Sequence, residues 1–98
     1  MFRLLKIRGQ SLVPDVKDGD FVLVSKIPIL LNCLRPGDVV AFHHPSYGTM
    51  IKKIDTISPD RKDITVIGSH PLSVDSRQFG PIDRAAIIGK VILHVHRP

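Results

Sequence analysis

Two side chains in this sequence have the types that acyl-transfer chemistry needs. They are the hydroxyl of Ser11, in Gly9-Gln10-Ser11-Leu12-Val13-Pro14, and the amine of Lys52, in Met50-Ile51-Lys52-Lys53-Ile54. A serine hydroxyl is a poor nucleophile until a base removes its proton, and lysine can be that base only when it is largely neutral near pH 7. Desolvation disfavours the ammonium form and can lower a lysine pKa by several units. Lys52 has Met50, Ile51 and Ile54 around it, a setting that would exclude water, whereas Lys53 falls on the opposite strand face and is the solvent-side residue. Gly9 and Pro14 frame the Ser11 loop, which suits a tight turn presenting a backbone N–H to a developing oxyanion. A third segment, Asp75-Ser76-Arg77-Gln78-Phe79-Gly80-Pro81, adds rigid polar support. Taken alone, Ser11 reads as a loop serine and Lys52 as an exposed strand lysine. The three segments together point to a hydroxyl nucleophile with an amine base.

The elements that must position these groups are strands. Phe21-Val22-Leu23-Val24, Val39-Val40-Ala41-Phe42, Ile64-Thr65-Val66-Ile67 and the run 87–95 are short and rich in β-branched or aromatic residues. They are bounded by turn formers such as Asp18-Gly19-Asp20 and Pro36-Gly37-Asp38. Residues 3–8 and 48–57 are expected to form further strands. The 8 prolines and 7 glycines leave few windows for an amphipathic helix, so the expectation is an all-β fold with at most a short helical turn, over 11–17 or 83–86.

A chain of 98 residues with 43% hydrophobic content supports one core, and the expectation is a single domain over 1–98. The 1 cysteine, Cys33, excludes an internal disulfide framework and a cysteine-based zinc cluster, and fits a reducing, cytoplasmic compartment. Three cations interrupt Met1-Phe2-Arg3-Leu4-Leu5-Lys6-Ile7-Arg8, so no leader or membrane span is read there. The formal charge of +5 is spread along the chain, and with only 4 Phe and 1 Tyr for base stacking no nucleic-acid partner is expected. His94 and His96 share a strand face, but two ligands do not make a metal site, and no metal or cofactor is expected. The apolar stretch Ile27 to Leu34 reads as core, or as a contact surface for a partner or for peripheral membrane contact.

The ordered segments resemble the type I signal peptidases and their relatives, which share a β-fold with the self-cleaving domain of LexA-type repressors. Gly9-x-Ser11-Leu12-x-Pro14, followed by Asp18-Gly19-Asp20-Phe21-Val22-Leu23-Val24, is similar to that family's nucleophile box and next strand. Arg35-Pro36-Gly37-Asp38-Val39-Val40-Ala41-Phe42 is similar to a further strand entry. Met50-Ile51-Lys52-Lys53-Ile54 resembles the box carrying the general-base lysine, and Gly68 to Pro81 with Ile88-Gly89-Lys90 resembles the closing boxes. The resemblance implies a serine endopeptidase with a Ser11/Lys52 dyad. It also implies that Ser73 orients the lysine amine, and that Asp75 and Arg77 hold the corner together as a bidentate pair. Substrate is expected as an added strand between 6–10 and 48–51, whose backbone groups would align the scissile carbonyl, with Gly9, Gln10, Met50 and Ile51 as substrate-binding residues.

Three departures stand out. Leu12 replaces the usual methionine, a volume-conserving exchange; Ser69 replaces an acidic residue; and Gly9 stands where some relatives carry a serine oxyanion donor. The short form resembles the maturation proteases of nickel-type superoxide dismutase, which implies a protein substrate with an N-terminal propeptide. Two further readings are a signal-peptidase-like enzyme at a membrane surface and a non-catalytic peptide-binding β-domain.

Overall fold

The runs of β-branched and aromatic residues form seven strands, and every pairing between them is antiparallel. The computed structural model describes residues 2–6, 20–27, 33–68 and 74–95, leaving aside the side chains of His94 and Val95. The strands are β1 (Phe2–Lys6), β2 (Phe21–Ser25), β3 (Val39–His44), β4 (Gly48–Ile57), β5 (Asp63–Ile67), β6 (Ile82–Asp83) and β7 (Ile87–Val95). They make one sheet in the order β1-β2-β7-β3-β4-β5-β6. Strand β4 has the bounds expected from sequence, and the later turn signal becomes a 3-10 turn over Arg84–Ala86. The earlier turn, over 11–17, lies outside the described residues.

The centre of the sheet is buried on both faces, and alternation along β3 shows why. Val40 and Phe42 enter a cluster with Leu34, Met50, Ile54, Ile64, Val66 and Ile82, while Ala41 enters a second with Val22, Val24 and Ile51. A strand covered on both sides has no polar face, which is why Val39-Val40-Ala41-Phe42 is a continuous apolar run. The stretch that begins at Ile27 is divided: Leu34 is core and Cys33 is exposed, while 28–32 lies outside the described residues.

Turn chemistry sets the registers. In Arg35-Pro36-Gly37-Asp38 the Asp38 N–H donates to the Arg35 carbonyl at 3.1 Å. Gly37 has φ +96°, so proline at the second position and glycine at the third make a type II turn leading into β3. Gly89 is fixed by close approach instead: a Cβ there would stand 2.5 Å from the Ser25 carbonyl oxygen and closer still to Val24 Cγ1.

A helical turn that composition alone does not announce, α1 (Ser76–Phe79), follows β5. Asp75 caps it by accepting from the Arg77 N–H, and the Gln78 side chain accepts from the Asp75 N–H, a reciprocal capping box. Phe79 packs on the first core cluster, its ring 6.3 Å from Phe42 and 4.7 Å from His44. The Ser76 hydroxyl accepts from the Val66 N–H at 2.8 Å, tying the turn to β5.

Candidate active site

Lys52 lies in the middle of β4, opposite Val40 of β3. Its side chain shares a face with Met50 and Ile54, both core residues, and is only 2% exposed. Lys53, one position on, is exposed. The expected contrast between the two lysines therefore follows from the two-residue period of a strand whose even-numbered side chains enter the core. Burial pushes the Lys52 amine below the ordinary lysine value; the Asp75 carboxylate nearby opposes that shift, and the Arg77 guanidinium reinforces it. The net shift is downward, toward the neutral amine that a base requires.

Asp75 is fully buried and heavily hydrogen-bonded. Its carboxylate accepts from the Gly68 N–H at 2.9 Å, the Arg77 N–H at 2.9 Å, Arg77 Nε at 3.0 Å and Arg77 Nη2 at 2.8 Å. Burial alone would raise its pKa. The Arg77 side chain and the two backbone donors outweigh that effect and hold it at about 2. Asp75 is therefore an anion at neutral pH, and the bidentate Arg77 pair gives it one geometry. Through Gly68 it also joins the end of β5 to the start of α1. Gly68 and Gln78 were not foreseen in these roles, although the Asp-x-x-Gln spacing at 75–78 is a legible capping signature.

Of the expected site residues, the structure brings Lys52, Asp75 and Arg77 within electrostatic reach of one another. Gly9, Gln10, Ser11 and Ser73 lie outside the described residues. Met50 and Ile51 are 9% and 3% exposed, and both side chains belong to the core clusters.

Ile51 has backbone groups to offer instead. The Ile54 N–H donates to the Asp38 carbonyl and the Ile54 carbonyl accepts from the Gly37 N–H, each at 2.8 Å, so the Ile54 backbone faces the β3 side. Alternation turns the backbones of Lys53, Ile51 and Thr49 the other way. Lys53 meets Ile67 of β5 there, but β5 pairs with β4 only at Lys53, Ile54, Thr56 and Ile57. Among the described residues no strand pairs with Thr49 or Ile51 on that side, which leaves a sheet edge beside Lys52.

A cavity of about 570 Å³ lies elsewhere, between the β3–β4 hairpin and the 3-10 turn, lined in part by His43, His44, Pro45, Pro81, Asp83 and Ile87. None of the site residues lines it. Among the described residues no group of His, Cys, Asp or Glu is arranged to hold a metal ion, and no helix is long and apolar enough to cross a membrane.

No curated protein matches the chain. A family model, Peptidase S24-like, matches residues 2–92, nearly the whole sequence. The match agrees with the mostly antiparallel sheet and short helix, and it covers the Ser11, Lys52 and Asp75 segments together. It supports the LexA and signal-peptidase-like superfamily of serine peptidases, and not the narrower subgroup of superoxide dismutase maturation enzymes. The chain belongs to the Peptidase S24-like family.

Proposed function

We propose that this chain is a serine endopeptidase in which Ser11 is the nucleophile and neutral Lys52 the general base. The observation that carries the reading is a lysine that is 2% exposed in mid-strand, with its pKa pushed down by burial, beside a fixed Asp75–Arg77 pair. Family membership supports the serine peptidase chemistry. In the proposed reaction Lys52 Nζ takes the Ser11 proton as Oγ attacks the scissile carbonyl. The Ser11 N–H is the expected donor to the oxyanion. The protonated amine then gives its proton to the leaving amine, and water, activated by the same Lys52, hydrolyses the acyl-enzyme. Ser73 orients the amine, while Asp75 and Arg77 hold the corner without transferring protons.

The substrate is an extended protein segment that adds to the β4 edge, pairing with backbone groups of Thr49 and Ile51. On the resemblance of the short form, that segment is an N-terminal propeptide, with the precursor of a nickel superoxide dismutase as its source. One domain spans residues 1–98, and a reducing compartment suits its 1 cysteine. A membrane-surface variant of the same activity is favoured by the exposed apolar side chains of β1 and β7.

Cleavage of a peptide library, profiled for the parent chain, Ser11→Ala and Lys52→Met, tests the dyad. Both variants should fold and lose turnover, and the parent should prefer small residues before the cut. A Ser11→Ala variant with parental turnover would return the chain to a non-catalytic peptide-binding role. Loss of turnover on replacement of any one of the 5 histidines, with folding intact, would replace the lysine base by an imidazole.

A further inference from the structure

Among the described residues, four of the five exposed large apolar side chains lie at one end of the sheet. These are Phe2 and Leu4 on β1, at 60% and 59% exposure, and Ile92 and Leu93 on β7, at 42% and 53%. Register makes them a patch. Leu4 stands opposite Leu23 of β2, and Leu23 stands opposite Leu93, so the three form one cross-strand row with Phe2 two residues along on the same face. The β2–β7 register shift, in which Val24 meets Val91, leaves Ile92 as the extra residue of a bulge.

Charge is distributed just as unevenly. Strands β1, β2 and β7 carry Arg3, Lys6 and Lys90 and no aspartate or glutamate, Lys90 being paired with Asp38 at 3.6 Å. Strands β4, β5 and β6 carry Asp55, Asp63 and Asp83 against the exposed Lys53 and the buried Lys52. The apolar end of the sheet is thus also its cationic end. Arg3 and Lys6 are exposed on the edge strand, where long stems can lie over apolar surface while the heads stay wet.

We propose that this end of the sheet, the β1 edge and the Phe2–Leu4–Leu23–Leu93 face, docks on an anionic lipid surface. Apolar side chains enter the headgroup boundary and cations meet lipid phosphates, the two contributions that hold interfacial proteins to bilayers. A second copy of the chain is a poorer fit, because a face-to-face pair would bring the Lys6 side chains, which share the Leu4 face, onto a surface that carries no strand carboxylate to meet them. Nucleic acid is poorer still, since the row is mainly aliphatic and offers little for bases to stack on. The proposal does not depend on Ser11 or Lys52, and Ser11→Ala should bind lipid as the parent does.

Flotation of the full chain with vesicles of phosphatidylcholine containing about one-third phosphatidylglycerol is the direct test. The parent should float with these vesicles, less in high salt, and stay behind with phosphatidylcholine alone. Phe2→Thr, Leu4→Thr and Leu93→Thr combined keep β-propensity and leave both cores untouched, and should abolish flotation. Arg3→Gln with Lys6→Gln should lower partitioning roughly 30-fold. The chain has no tryptophan, so Leu4→Trp gives a second readout, with emission that should shift blue and be quenched by brominated lipid. Equal flotation of the triple variant and the parent, or Leu4→Trp emission unchanged by vesicles, overturns the proposal. So does a dimer in sedimentation that the triple variant dissolves while the parent ignores vesicles.

Discussion

Replacing Asp75 by asparagine keeps the side chain's shape and one acceptor oxygen while removing the charge on which the site corner is built. A carboxyl held at about 2 against an ordinary 3.8 is worth about 2.4 kcal/mol at 1.36 kcal/mol per pH unit. Arg77 is 52% exposed, so solvent screens its share, and asparagine can still accept one backbone N–H. The expected loss at pH 7 is therefore on the order of 1–2 kcal/mol. The sign with pH follows from the direction of the shift. Because the folded value is depressed, the stabilisation is complete above the unfolded value and disappears as pH falls through about 2.

Urea unfolding of the parent chain and Asp75→Asn at pH 7 and again near pH 2 reads this directly. The gap between them should narrow at the acid end, because the parent loses what the variant never had. A gap of the same size at both pH values would mean that Asp75 acts through packing or capping and not through its charge. Activity gives a second reading of the same perturbation. Asp75 raises the Lys52 pKa against burial, so its neutralisation should move the rising limb of the pH–rate profile to lower pH. A shift to higher pH would sink the electrostatic reasoning.

Lys52→Met should be more stable than the parent at neutral pH, since it removes a buried amine whose charged form is disfavoured. Because the folded pKa is lowered, the parent gains stability as pH rises toward the ordinary value of 10.5, so urea midpoints of the two should converge there. Gly89→Ala should cost about 1–3 kcal/mol, because its methyl meets the Ser25 backbone and Val24; a thermal midpoint equal to the parent's would show that β2 yields freely there. Phe79→Ala should weaken the hold of α1 on the sheet by about 3 kcal/mol or more. Because Phe79 packs against Phe42 and His44, turnover should fall as well; unchanged kinetics would separate α1 from the site.

Most of the sheet was legible because its strands are bounded by turns with unambiguous chemistry. Pro36-Gly37 sets one entry, and β4 has the expected bounds 48–57 even though its alternation is broken, with Met50, Ile51 and Lys52 buried in succession and an irregular register against β5 between Ile54 and Thr56. The α1 turn was not read as a helix, since four residues carry no apolar period, and only the Asp75/Gln78 spacing marks it. Burial of Lys52 followed from its even-numbered companions Met50 and Ile54, which a sequence shows. The roles of Met50 and Ile51 did not follow in the same way. Which strand edge remains open depends on where β5 stops pairing, a tertiary fact with no local signal.

That missing signal also explains how one strand can serve two functions without conflict. In β4 the side chains alternate across the sheet, while the backbone groups alternate within its plane. Even positions place Met50, Lys52 and Ile54 in the core and turn their amides toward β3. Odd positions turn the amides of Thr49 and Ile51 toward the open side. In the proposed binding mode a substrate strand entering there pairs with backbone that no described strand uses, one residue away from a lysine buried in the core. Any shift of β4 by one residue would exchange the two sets, exposing Lys52 to water and burying Lys53. The register with β3, fixed by the Gly37–Ile54 and Asp38–Ile54 hydrogen bonds, is thus also what sets the burial that lowers the pKa of the proposed base.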